Sequence, residues 1–139
     1  MKMKKKHRIN ASLLILVPIF LAASCEEKQA TTYTTVEGLY VCNERSAHAG
    51  VHNYFVEIDK VSTQQNLYII NNFHNAGENQ FIYAELVADT LVINDQGFGN
   101  FLSVSGKGAV SDNFKKVEFS YYTFDGVVQL DYYATFEKE

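Results

Sequence analysis

From Val36 to Phe136 the apolar residues recur mostly at every second position. In an extended chain, neighbouring side chains point to opposite sides, so a spacing of two builds a strand with one buried face. The stretch is rich in aromatic and β-branched residues, and turn residues punctuate it at intervals of about 8–12 positions. Eight strands are expected: Val36–Asn43, Asn53–Val61, Asn66–Phe73, Gln80–Val87, Thr90–Asn94, Asn100–Val110, Lys115–Phe124 and Val127–Glu137. Asp125-Gly126 suits a two-residue hairpin between the last two, because glycine supplies the positive φ that such a turn needs. No helix of three turns is evident. The single proline, Pro18, lies outside this region, so none of these strands is interrupted by one.

Sequential hairpins with one apolar face predict an all-β antiparallel up-and-down meander. Closing eight strands into a small barrel removes the exposed edges, and a two-sheet β-sandwich is the alternative. Closure requires the last strand to pair with the first, near Leu39 and Val41. Gly106 and Gly108 share one face of the sixth strand, where missing side chains relieve crowding at a bend. With Gly38-Leu39-Tyr40 on its first strand, the domain resembles the lipocalin-like barrels over Val36–Lys138. Lipocalins proper have Trp at the place of Tyr40 and a late Arg packed on it, whereas this chain has no Arg after Arg45. The resemblance therefore implies an architecture and no binding residue.

The N-terminal segment follows a different logic. Lys2, Lys4, Lys5, Lys6 and Arg8 precede the apolar run that begins at Leu13, and the small residues Ala22, Ala23 and Ser24 follow it. Basic, apolar, small is the order of a secretory signal peptide, and the run is shorter than a membrane span. Leu21-Ala22-Ala23-Ser24-Cys25 resembles the lipobox of bacterial lipoproteins. That resemblance implies cleavage after residue 24, acylation of Cys25 and anchoring in an outer membrane. The acidic pair Glu26-Glu27 resembles the surface-export tag of some Gram-negative lineages, which implies possible surface exposure in the bacterial envelope. Residues 25–35 then read as the lipidated cysteine and a polar tether, and residues 36–139 as a single β domain.

Without its first 24 residues the chain keeps 115 of 139 positions, with 7 basic and 16 acidic residues and a formal charge of −9. This charge repels phosphate backbones, so nucleic acid is not an expected partner. With Cys25 acylated, Cys42 has no disulfide partner and is expected to be a buried apolar residue.

Candidate chemistry is sparse. His48, His52 and His74 fall in or beside two loops that open at the same end of a barrel, with Glu78 nearby. Together they are weak candidates for a zinc or copper site, against the simpler expectation of unrelated surface histidines and no metal. Glu57 and Asp59 share a strand face and could pair as hydrolytic carboxylates, but read more simply as a solvated face. Gly-x-Ser-x-Gly is absent, and Gly97-Phe98-Gly99 reads as a turn. Tyr121-Tyr122 and Tyr132-Tyr133 place an aromatic on both faces of adjacent strands, as core filling or as a stacking surface. No enzyme activity and no cofactor are expected. The chain reads as a membrane-anchored binding module for a small apolar ligand, a glycan or a partner. The alternative is an accessory subunit of an envelope complex.

Overall fold

A computed structural model describes residues 31–139; the signal segment, Cys25 and the first part of the tether lie outside the described residues. Eight strands follow in order: β1 (Gly38–Ser46), β2 (Gly50–Lys60), β3 (Leu67–Asn71), β4 (Phe81–Val87), β5 (Thr90–Phe98), β6 (Phe101–Val110), β7 (Lys116–Phe124) and β8 (Gln129–Lys138). A 3₁₀ turn, η1 (Phe73–Asn75), lies between β3 and β4. All neighbours are antiparallel, and β8 pairs back onto β1, with Cys42 opposite Phe136. The fold is a closed up-and-down β-barrel, the architecture of the lipocalin-like barrels; the sandwich alternative falls away.

The period-two pattern decides which side of each strand is buried. On β2, Tyr54, Val56 and Ile58 point inward while Phe55 and Glu57 point out. On β7, Val117, Phe119 and Tyr121 point inward, and they meet Tyr132, Ala134 and Phe136 of β8. An eight-stranded barrel is about wide enough for side chains to fill. Here they do fill it: Phe119 packs on Phe136 at 4.9 Å between ring centroids, and Phe73 of η1 reaches in to touch Phe98, Phe119 and Tyr121. Gly108 and Gly106 stand directly opposite Phe119 and Tyr121. A Cβ at Gly108 would lie 2.5 Å from the Phe119 ring, and one at Gly106 only 2.3 Å from Tyr121 Cβ. These two glycines make the room that seats both rings.

Three local expectations are corrected. The fifth strand does not stop at Asn94 but runs to Phe98, with register shifts between Ile93 and Gln96 and between Gln96 and Phe98. Asp95-Gln96-Gly97-Phe98 is therefore an irregular strand segment, and of the expected turn Gly97-Phe98-Gly99 only Gly99 lies outside β5. There the Gln96 amide does the work of a missing backbone partner: it accepts from Tyr83 N at 3.0 Å and donates to Tyr83 O at 2.8 Å. Second, the β7–β8 connection is not a two-residue hairpin. Phe124 pairs with Gln129, leaving a four-residue loop in which Asp125 Oδ1 accepts from the Val127 and Val128 amides, and Gly126 has φ 101°. Val128 is thereby exposed in the loop and does not extend the inward face of β8. Third, Phe73 does not end β3, which closes at Asn71.

The barrel has two unlike ends. At one, the chain enters: Val36 is buried, and Tyr40 Oη donates to its carbonyl at 2.6 Å. The Lys138 ammonium donates to Thr35 O and lies 5.3 Å from the Tyr40 ring centroid. Tyr40 and Lys138 thus close this end as an aromatic ring beneath a cation. Tyr33 Oη donates to Glu139 O, so the last residues read as tether touch the barrel wall. At the other end lie the β1–β2, β3–β4, β5–β6 and β7–β8 connections.

Candidate functional site

The inward face of β1 reads Tyr40, Cys42, Glu44, so strand geometry alone carries a carboxylate into the barrel near this second end. Glu44 is only 3% exposed. A buried carboxylate demands hydrogen-bond donors, and three surround it. Its Oε2 accepts from Tyr54 Oη at 2.5 Å and from Tyr121 Oη. Its Oε1 lies 3.1 Å from His74 Nδ1, which also lies 2.7 Å from Tyr121 Oη. Burial by itself would raise the Glu44 carboxyl. The hydrogen bonds from His74, Tyr121 and Tyr54 outweigh burial and hold it below the ordinary glutamate range. The two tyrosine hydroxyls are pushed well above theirs, first by burial; among the further causes is the neighbouring carboxylate.

His74 arrives on an unusual backbone. Asn72, His74 and Asn75 all have φ between 53° and 56°, a left-handed conformation that asparagine tolerates better than most residues. The Asn72 side chain holds the turn at both sides, donating to Phe55 O at 2.7 Å and accepting from Gly77 N at 2.8 Å. With η1 so fixed, Phe73 plugs the barrel and His74 covers Glu44. Tyr132 completes the cluster, its ring stacked on Tyr121 at 5.2 Å and met edge-on by His74 at 4.6 Å.

Above the cluster is a cleft of about 180 Å³ lined by Glu44, Ala49, His52, His74, Asn75 and Tyr132. Two of the three histidines read from the sequence therefore come together. His48 is exposed in the β1–β2 turn and does not line the cleft. Glu78 sits elsewhere, in a groove on the outer wall with Leu39, Phe55, Glu57, Asn71 and Asn72. Among the described residues no three His, Cys, Asp or Glu side chains form a set that could hold a metal ion. Glu57 and Asp59 lie on the outer wall, where Asp59 accepts from Asn71 Nδ2 at 2.8 Å. Cys42 is fully buried, and burial pushes its thiol up to about 12, with a smaller opposing effect of the Tyr54 hydroxyl. It stays protonated and unreactive at neutral pH.

Glu44 and Tyr54 were not singled out in the sequence as site residues, whereas Tyr121 and Tyr132 were read there only as core filling or a stacking surface. A signal was present, because Glu44 continues the inward phase of Tyr40 and Cys42, but the expected first strand stops at Asn43. Compared with known proteins, the chain matches no protein-family model and none of the curated proteins.

Proposed function

We propose that the protein is an exported module, anchored to an outer membrane through an acylated Cys25, that binds without catalysis through the cleft at the loop end of its barrel. One observation carries this reading. Polar side chains from β1, β2, η1 and β8 converge on one small cleft, at the end opposite to where the chain enters the barrel. An anchor at the entry end would turn that cleft away from the membrane. The filled interior favours a glycan or a partner's side chain over an apolar ligand held inside the barrel. The fully engaged Glu44 carboxylate and the neutral Cys42 thiol support a non-catalytic role.

The accessory-subunit reading has its own support. Leu39, Phe55, Phe81 and Tyr83 are exposed on the outer wall of β1, β2 and β4, and such apolar exposure is a feature of interfaces. Native mass spectrometry of the protein purified from its host membranes tests both readings. A retained small molecule supports the cleft, and a stoichiometric protein partner with no small molecule supports the subunit. Fractionation of Cys25→Ala tests the anchor: it should leave the membrane fraction or stay unprocessed. A mature-size chain still in the membrane would place the anchor elsewhere.

A further inference from the structure

We infer that the cleft is built to receive a primary ammonium group; the inference rests on the open-end binding reading and names its ligand. The hydrogen bonds already made fix what each ring can still offer. His74 Nδ1 faces the Glu44 carboxylate, which has only lone pairs, so Nδ1 carries a proton. In the neutral ring the other nitrogen, Nε2, is then an acceptor. Every buried side-chain polar atom among the described residues has a partner, and His74 Nε2 has none among the described residues, so among these residues this nitrogen is left open to solvent. His52 is fixed the opposite way round. Its Nε2 lies 2.7 Å from Ala49 O, a carbonyl that can only accept, so Nε2 carries the proton and Nδ1 keeps the lone pair. Two imidazoles that line one cleft thus each keep one acceptor nitrogen. The Tyr132 hydroxyl and the Asn75 amide, each without a side-chain hydrogen bond among the described residues, can both add an acceptor oxygen.

A ligand matching this set brings several donors on one small atom and needs little volume. An ammonium brings three N–H donors and a positive charge, and residues 25–139 carry a formal charge of −9. An anion would meet lone pairs and a like-charged domain. A single hydroxyl supplies one donor for two fixed acceptors. About 180 Å³ admits an aminoalkyl end and not a large ligand. The ammonium can come from a free amine or from a lysine of a partner protein.

The test uses the full-length protein in detergent with n-butylamine, its neutral analogue n-butanol, Nα-acetyl-lysine amide, the Nε-acetylated form of the latter, and methyl β-glucopyranoside. Amide NMR signals of Ala49, His52, His74, Asn75 and Tyr132 should move with the two amines and not with n-butanol or the acetylated lysine. His52→Leu, at an exposed position, and Tyr132→Phe should each weaken amine binding about fivefold or more. Equal response to both amines supports a free-amine ligand, and a stronger response to the lysine amide supports a partner's side chain. Imidazole nitrogen NMR should show Nδ1–H on His74 and Nε2–H on His52; the opposite tautomer in either ring overturns the inference. So does an equal response to n-butanol, or no response to amine. If the glucoside moves these signals and the amines do not, the ammonium is wrong and the open-end binding reading stands.

Discussion

The two ends of the barrel close in different ways. At the entry end Val36 tucks under Tyr40, and the Lys138 ammonium lies over the Tyr40 ring and donates to Thr35 O. At the loop end a carboxylate, an imidazole and three tyrosines form one network spanning β1, β2, η1, β7 and β8. Among the described residues, the entry end buries a single cation, Lys138, on a carbonyl and an aromatic ring, and no carboxylate. The loop end instead buries a carboxylate, which three donors hold in place.

The largest expected effect lies in the packing that both ends share. Phe119 touches Phe136 and Phe73 and is seated over Gly108. Phe119→Ala should cost about 3–5 kcal/mol in a denaturant melt of the full-length protein. A loss below about 1 kcal/mol would mean that the interior is not a continuous packed core.

Next in size is the network itself. Glu44→Gln keeps the shape but replaces an acceptor-only group that takes three donors, and should cost about 2–4 kcal/mol. The pH dependence follows from the lowered Glu44 carboxyl. Its stabilisation is complete above the ordinary glutamate value of about 4.3 and is lost as pH falls through the lower folded-state value. Wild type should lose stability along that acid limb, and Glu44→Gln should show a shallower limb. Parallel limbs would mean that the carboxylate is not held by the network. At the entry end, Tyr40→Phe removes one hydroxyl that donates to Val36 O, and should cost only about 0.5–1.5 kcal/mol. A larger loss there than in Glu44→Gln would reverse the contrast between the ends.

The alternation carried the strand count, the inward faces of β2 and β7, and the return of β8 to β1, because burying one face fixes a period of two. Where side chains replace backbone, alternation has nothing to report. Gln96 bonding both polar groups of Tyr83 extends β5 through residues that resemble a turn. Asp125 capping two amides lengthens a loop whose Asp-Gly suggests a tighter one. The site was half legible. His52 and His74 share the loop end because an up-and-down barrel puts alternate loops together. The pairing of His74 with Glu44 depends on left-handed residues at Asn72, just before η1, and at His74 and Asn75 within it, a conformation that spacing does not reveal.

The smallest effect sharpens the comparison most, because it sets two glutamates side by side. Glu118 is paired with Lys116 Nζ at 2.6 Å, a shorter contact than the 3.1 Å between Glu44 and His74. By distance alone the Glu118 pair would be the stronger. Both of its side chains stand in water on the outer face of β7, where the high dielectric weakens the attraction and holding two flexible chains offsets what remains. Lys116 is raised above its ordinary value by its hydrogen bond to and the charge of Glu118, but solvent around both side chains screens that coupling. Glu118→Gln should therefore leave the denaturant midpoint unchanged within measurement error, in low salt and high salt alike. A loss comparable with that of Glu44→Gln would mean that the outward face of β7 is not solvated as the barrel places it. No loss, beside a marked loss at Glu44, would assign the difference to burial and donor count, with contact distance contributing little.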